Sequence, residues 1–436
     1  MHILYFNIYL VVDMLIDFSV TNFLSIRDRA TLSLSAGKGN ELAGSHVMTS
    51  TAPSVPDLLR GGVVYGANSA GKSNFIKALR VMKRLVEESA KGGQSGESLE
   101  IQPFLFDDHS ADQPTEFEIN FVIKGVRYQY GFSATSQMVF EEWLYAYPKG
   151  RPQRWIERAY DPETGEYAWG SMDKLTGQKQ VWQDATRSNA LFLSTAIQLN
   201  SKQLKPVYDW FDDDLRIAGI GGWEPSFTMS LCEENDGKAR VMKFLRVADL
   251  DISDVELSKK EFDPDDLPRD IPASIREDLV RKLDGKSIHT LHTVHTTESG
   301  RRVLLDFENE SDGTQKIFAL AGPWIDSLNN GYTLVIDELH DNLHPLMVRY
   351  LVGLFNCPET NSNNAQLIFT THDTSLLDQD VFRRDQVWFC EKDDSQSSRL
   401  YPLTHFKPRK KVENLERGYL AGRYGALPYI QHMQGF

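Results

Sequence analysis

The run Gly66-Ala67-Asn68-Ser69-Ala70-Gly71-Lys72-Ser73 has the spacing G-x-x-x-x-G-K-[ST], a pattern suited to holding phosphate. Glycines let the backbone curl, so that successive N–H groups and the tip of a following helix face negative charge. Lys72 is placed to reach the β- and γ-phosphates, and Ser73 to offer its hydroxyl to Mg²⁺. Gly66, Asn68, Ser69, Ala70 and Gly71, with Asn74 just beyond, complete the candidate phosphate-binding set. A second run, Thr333-Leu334-Val335-Ile336-Asp337-Glu338, ends an apolar stretch on two carboxylates. Asp337 is a candidate metal ligand and Glu338 a candidate general base for an attacking water. A third run, Ile368-Phe369-Thr370-Thr371-His372-Asp373, ends at a histidine that could brace a γ-phosphate. Strand ends line the ligand crevice of parallel nucleotide-binding sheets. The fourth, Glu308-Asn309-Glu310-Ser311-Asp312-Gly313-Thr314-Gln315, precedes an apolar helical pattern. Ser311 is a natural N-cap, and Ser311 and Gly313 together would present N–H groups to an anion. Taken alone, the fourth run reads first as an ordinary capped helix.

The elements that must position these residues can be read from periodicity. Residues 14–35 read as strands, and Gly37–Pro56 as a loop. Val63-Val64-Tyr65 reads as a short strand feeding the glycine loop. From Lys72, the residues Phe75, Ile76, Leu79, Met82, Leu85 and Val86 share one helical face. Lys91–Ser98 reads as a surface loop. Residues 115–160 alternate, with turns at Lys124-Gly125 and Pro148-Lys149-Gly150, and predict an antiparallel meander. Short apolar strands at 332–336, 366–370 and 386–390 alternate with helices, which predicts a parallel sheet. Four segments follow from this: an apolar extension over 1–13, an N-terminal half over 14–200, a mostly helical insertion over 201–300 with an acidic stretch near Asp263–Asp266, and a C-terminal half over 301–436. The fold class is α/β, with a P-loop core, an antiparallel β lobe and the insertion.

Composition narrows the function classes. The chain has 436 residues, 41 % hydrophobic and 25 % charged, ordinary values for a globular protein of two or three domains. Its net charge of −14 argues against a surface that grips nucleic acid throughout. The strongest basic run, Lys407-Pro408-Arg409-Lys410-Lys411, has Tyr401 and Phe406 nearby and reads first as a solvated charge run. Three cysteines without short spacing exclude a disulfide framework and a CxxC zinc hook, and fit a reducing compartment. The apolar stretch Ile3–Val12 is too short to span a bilayer and lacks a basic n-region; Met14 reads as a better beginning. A cytoplasmic location without a membrane partner is expected.

The order G-x-N-x-x-G-K-S, S-x-G-T, apolar-DE and a strand ending in His resembles the ATP-binding-cassette ATPases of the SMC/RecF type. The opening Asn22-Phe23-Leu24-Ser25-Ile26 resembles the start of their heads. Lys72 and Asp337 stand 265 residues apart, too far for a transporter head, with no long coiled coil between them. Only 64 residues follow His372, too few for the TOPRIM domain of overcoming-lysogenization-defect nucleases. The segments Asn189-Ala190-Leu191-Phe192-Leu193-Ser194, Tyr208-Asp209-Trp210-Phe211 and Tyr419-Leu420-Ala421-Gly422-Arg423-Tyr424-Gly425-Ala426-Leu427-Pro428 are similar to compact ATPases described as AAA family, RloA-like or abortive-infection ATPases. Residues 212–300 match least.

The resemblance implies ATP and Mg²⁺ as ligands and ATP hydrolysis as the reaction. It implies a head-to-tail dimer, or a higher homo-oligomer, in which Ser311 and Gly313 act on the partner's γ-phosphate and His372 is the switch histidine. Leu339-His340-Asp341-Asn342-Leu343-His344-Pro345 falls at the D-loop, with His340 where a smaller or acidic residue is commoner. Gln102, in Ile101-Gln102-Pro103-Phe104, is the candidate Q-loop metal ligand. It further implies an anti-phage defence role, with a phage trigger protein and a separately encoded effector such as a TOPRIM-type nuclease. The alternative is a RecF-like repair ATPase that binds DNA.

Overall fold

A computed structural model describes residues 13–92, 96–218, 223–248, 250–264, 272–283 and 287–428. Apart from Asp13, the expected apolar extension lies outside the described residues, as do parts of the 91–98 loop and of the acidic stretch after 264. The chain divides into two compact units, Met1–Gly222 with Asp326–Phe436, and Trp223–Ile325.

The strands begin with β1 (Met14–Thr21) and β2 (Ala30–Ser33), then a short ladder of β3 (Val47–Met48) and β4 (Leu58–Leu59), then β5 (Gly61–Tyr65). After the helix Lys72–Glu88 come β6 (Thr115–Ile123), β7 (Val126–Ala134), β8 (Val139–Tyr147), β9 (Gln153–Asp161) and β10 (Glu166–Trp169). Next come β11 (Leu215–Ile217), then β12 (Asp254–Glu261), β13 (Ser287–Thr296) and β14 (Arg302–Asp306). Last are β15 (Thr333–Ile336), β16 (Gln366–Thr371), β17 (Val387–Lys392) and β18 (Ser398–Pro402).

In the first unit, one sheet runs β10-β9-β8-β7-β6-β1-β2, with every described pairing antiparallel. The expected meander is its larger part. Its Lys124-Gly125 turn has φ of 48° and 75°, the left-handed pair that matches strand twist in a two-residue hairpin. The second sheet runs β11-β15-β16-β5-β17-β18, parallel except for the last pair. Strands β5, β15 and β16 are buried at every position. That is why they read as unbroken apolar runs rather than alternating ones.

A single apolar cluster joins both sheets to the helix Lys72–Glu88. The predicted face of that helix is the buried one. Phe75 meets Phe18 of β1 edge-on at 5.3 Å between ring centroids, and Trp210 stacks on Phe121 of β6 at 4.1 Å. Buried Gln366 of β16 couples the sheets: it accepts from the Leu15 N–H at 2.7 Å and donates to the Leu15 and Leu59 carbonyls. Among the described residues, no helix is long and apolar enough to cross a membrane.

The second unit contains the helices Pro225–Glu233, Gly237–Val247 and Ala273–Leu283. It also holds an antiparallel sheet, β12-β13-β14, which the expectation of a mostly helical 201–300 did not include. Threonine recurs through β13, with one valine and one isoleucine, and β-branched side chains sit well on a pleated surface. The unit's limits also differ from 201–300. Trp210 and Phe211 pack on Phe121, which draws residues 201–222 into the first unit.

Candidate active site

The glycine loop sits between β5 and the helix Lys72–Glu88, and its glycines are sterically required. A Cβ on Gly66 would lie 2.2 Å from the Cys390 carbonyl oxygen of β17. At Gly71, φ is +111°, and a Cβ would lie 2.1 Å from Ser398 Oγ. Ser398 Oγ donates to the Ala70 carbonyl at 2.7 Å and lies 2.8 Å from Ser25 Oγ, which also accepts from Asn74 Nδ2 at 2.7 Å. The Asn22–Ile26 motif therefore has a mechanical role, with Ser25 and Ser398 propping the loop from beneath. Asn74 faces this support. Asn22 reaches the other way: its Nδ2 donates to the Ser110 and Gln113 carbonyls, and its Oδ1 accepts from the Phe104 N–H.

Lys72 is buried, and its Nζ donates to the carbonyls of Gly66 at 2.8 Å and Ala67 at 3.0 Å. Burial lowers the pKa of its ammonium, against the opposing pull of Cys390, Glu338 and Asp337. Burial also pushes the Cys390 thiol up to about 12, so it stays neutral under the loop.

Asp337 and Glu338 follow directly on β15. The parallel register sets Ile336 against Phe369, which brings Thr370 of β16 beside the acidic pair. The fully buried Thr370 hydroxyl donates to Asp337 Oδ1 at 2.5 Å and accepts from the Glu338 N–H at 2.8 Å. Glu338 holds a left-handed backbone, φ 51°, a strained conformation for a non-glycine residue. Burial raises its carboxyl pKa, the neighbouring carboxylates of Asp341 and Asp337 raise it further, and Lys72 acts against them. A carboxyl whose pKa is raised is better matched to taking a proton near neutrality than an ordinary one. His372 faces His340, with His340 Nε2 2.9 Å from His372 Nδ1 and ring centroids 3.9 Å apart. His340 Nε2 also lies 3.4 Å from Asp341.

A cleft of about 740 Å³ opens over residues 66–70 and His372, within the usual size of small-molecule sites. Its other walls are Glu391, Lys392 and Gln396 of the β17–β18 hairpin, and the C-terminal residues Tyr419, Leu420 and Ala426–Pro428. Sequence reasoning missed two contributions here. Thr370 stands inside the third run, where no local pattern marks its task. The closing Y-L-x-G-R-Y-G-x-x-P run was the available signal for the tail, without a task assigned to it.

Gln102 does not line the cleft. Gln102 is exposed on a loop whose backbone carbonyl accepts the Leu24 N–H at 3.0 Å. Ser311 and Gly313 belong to the second unit. Ser311 Oγ caps the helix Asp312–Asn330 by accepting the Thr314 N–H at 3.2 Å, and lies 2.8 Å from Thr314 Oγ1. Glu310 just before it accepts from Thr293 and, at 2.7 Å, pairs with His295, which ties this tip to β13. The basic run 407–411 is partly neutralised: Lys410 lies 3.2 Å from Glu41, which also takes Arg384 at 2.8 Å.

The sequence profile of the family described as "AAA domain, putative AbiEii toxin, Type IV TA system" matches residues 63–378, from β5 to just past His372. The chain belongs to this family. The match includes the glycine loop, the capped tip at Ser311, the acidic pair and the histidine in one span. The sheet order above is that of an α/β fold with an antiparallel β lobe. Among solved structures, the chain is similar to the SMC head domain from Thermotoga maritima, with 13 % identity, TM-score 0.39, and coverage of 89 % of this chain and 98 % of that one. It is also similar to an Smc head from Pyrococcus furiosus bound to the C-terminal domain of ScpA, with 12 % identity, TM-score 0.37, and coverage of 90 % and 97 %. A third is the recombination mediator RecF with ATP, with 12 % identity, TM-score 0.35, and coverage of 84 % and 94 %. No curated protein matches.

Proposed function

We propose that this protein binds ATP with its phosphates on the loop 66–73, beside the cleft over residues 66–70, and hydrolyses it to ADP and phosphate. The observation that carries the reading is the Thr370 clamp, which fixes Asp337 and Glu338 within reach of the charge of Lys72. The loop fits a triphosphate, since its glycines leave no room for side chains and its following helix begins without a side-chain cap. Ser73 and Asp337 are the hydroxyl and carboxylate that hydrated Mg²⁺ takes alongside phosphate oxygens, and when bound the ion neutralises developing phosphate charge. Gln102 is proposed as a further metal ligand that swings in from its loop.

Within this reading, Lys72 leaves the Gly66 and Ala67 carbonyls to pair with the phosphates. Glu338 takes a proton from the attacking water, and His372 donates to the γ-phosphate while His340 holds its ring. Catalysis is positioning and charge stabilisation. The second-unit tip of Ser311 and Gly313 acts on the γ-phosphate of a partner copy, so that ATP binds a closed dimer better than an open one. This two-state switch controls a separately encoded effector, a nuclease, in cytoplasmic anti-phage defence with a phage trigger protein. The family description names a putative AbiEii toxin of a Type IV TA system, which fits a part in such a system. A RecF-like DNA clamp is the weaker reading, given the net charge of −14 and the neutralised 407–411 run. The test is calorimetry of the whole chain with ATP and Mg²⁺, against a Lys72→Ala variant. Binding that falls about tenfold or more in the variant supports the reading; wild-type chain that takes up no ATP overturns it.

A further inference from the structure

We infer that the C-terminal segment 419–428 is the base-binding wall of the nucleotide site, so that this chain recognises its nucleotide from both ends of the sequence. The inference rests on the ATP-binding reading above and names which residues meet the base.

The segment is pinned to the phosphate loop itself. The Ala426 carbonyl accepts the Ala67 N–H at 3.1 Å and the Tyr419 hydroxyl at 2.9 Å, and the Ala426 N–H donates to Glu391 Oε2 at 2.9 Å. Ala426 holds a left-handed φ of 57° to make these three bonds at once. Tyr401 donates to the Tyr424 carbonyl at 2.9 Å. Beneath, the Tyr419 and Tyr424 rings stack on Phe389 of β17 at 5.4 and 5.7 Å, and Tyr419 also packs on Tyr65 of β5 at 6.1 Å. The two strands that flank the phosphate loop therefore also carry the tail. Its position relative to the loop is fixed by hydrogen bonds and by a buried aromatic stack.

What this rigid segment shows to the cleft is apolar. Leu420, Leu427 and Pro428 line it, and Leu420 is 57 % exposed. An exposed leucine held on a rigid wall of a cleft is a surface waiting for an apolar face. Lys392 and Gln396 line the cleft from the hairpin. The cleft of about 740 Å³ continues from the phosphate cradle onto this shelf. A triphosphate seated on residues 66–73 therefore projects its nucleoside toward the tail. The aromatic rings are used in the supporting stack, so the base packs on aliphatic side chains, with Lys392 and Gln396 as the polar groups near it. A phosphate chain alone gains nothing from the shelf, because it has no apolar face.

The test compares ATP with inorganic tripolyphosphate on the full-length chain, wild type against Leu420→Ser and Leu427→Ser. The expected result is an ATP affinity lowered about tenfold or more by each change, with tripolyphosphate affinity unaltered. Labelling the wild-type chain with an azido-adenosine triphosphate covers the case in which a variant fails to fold; the modified peptide should fall within 415–428. Equal loss for both ligands, no loss for either, or label confined to another peptide overturns the inference while leaving ATP binding intact. Wild-type chain that binds tripolyphosphate as tightly as ATP also overturns it. Wild-type chain that binds neither ligand takes down the underlying reading as well.

Discussion

Replacing Thr370 by valine removes one hydroxyl at nearly constant shape, and its consequence can be worked from the geometry. The side chain is fully buried and makes two bonds, a donation to the carboxylate of Asp337 and an acceptance from the Glu338 N–H. A hydrogen bond to a charged group contributes ~1.5–3 kcal/mol and one to a neutral N–H ~0.5–1.5 kcal/mol. The change therefore removes ~2–4 kcal/mol of restraint on the acidic pair. If about half of that acts on the placement of Glu338 and Asp337 in the transition state, kcat falls ~5–30-fold. The nucleotide still sits on the glycine loop, so KM for ATP should stay within about twofold. The assay is steady-state phosphate release, run beside a thermal melt. Thr370→Ser keeps the hydroxyl and should restore most of kcat. A valine variant that melts lower but turns over at the wild-type rate would refute the positioning role. So would a serine variant as slow as the valine one.

Gly66→Ala, whose Cβ would press on the Cys390 carbonyl at 2.2 Å, should lower ATP affinity about tenfold or more by calorimetry while the fold survives. Glu142 is fully buried; it pairs with Arg158 at 3.0 Å and accepts the N–H groups of Phe192 and Leu193. Glu142→Ala should cost ~3–5 kcal/mol in a denaturant titration, because it leaves Arg158 buried without its counter-ion. The Asp214 carboxyl is pushed up to about 7, first by burial and then by the nearby Asp13 carboxylate. The folded chain therefore keeps a proton that the unfolded chain has lost, and stability should fall as pH rises from about 4 to about 7. Asp214→Asn should flatten that fall and gain ~1–2 kcal/mol at about pH 8, allowing for solvent screening of a half-buried pair. Ser311→Arg and Lys72→Ala should each lack ATPase activity alone, and mixing them should recover activity at one composite site of a heterodimer. Mixtures that stay inactive would count against action in trans.

The glycine loop is legible because its pattern is local. Eight consecutive residues fix both its curvature and its charge, and an apolar run ending in Asp337-Glu338 is equally self-contained. Thr370 was not legible, because its task depends on a parallel pairing between strands more than 30 residues apart, set by the Ile336–Phe369 register. The tail wall depends on a bond from Ala67 to Ala426, far apart in the sequence, and no local pattern encodes it. The antiparallel meander could be read from alternation and its Lys124-Gly125 turn. The sheet β12-β13-β14 could not, because the histidines and threonines of β13 blur the contrast between buried and exposed positions. The packing of Trp210 and Phe211 on Phe121, which ties residues beyond 200 to the first unit's leading segment, is likewise not encoded in sequence spacing.

The role of Glu338 as the base in a nucleotide-closed dimer is most directly tested by the Glu338→Gln variant, measured for ATP affinity, phosphate release and mass on a sizing column with ATP and Mg²⁺. The expected result is wild-type affinity, loss of turnover, and a dimer that persists only while ATP is present. Phosphate release at the wild-type rate from that variant would contradict it.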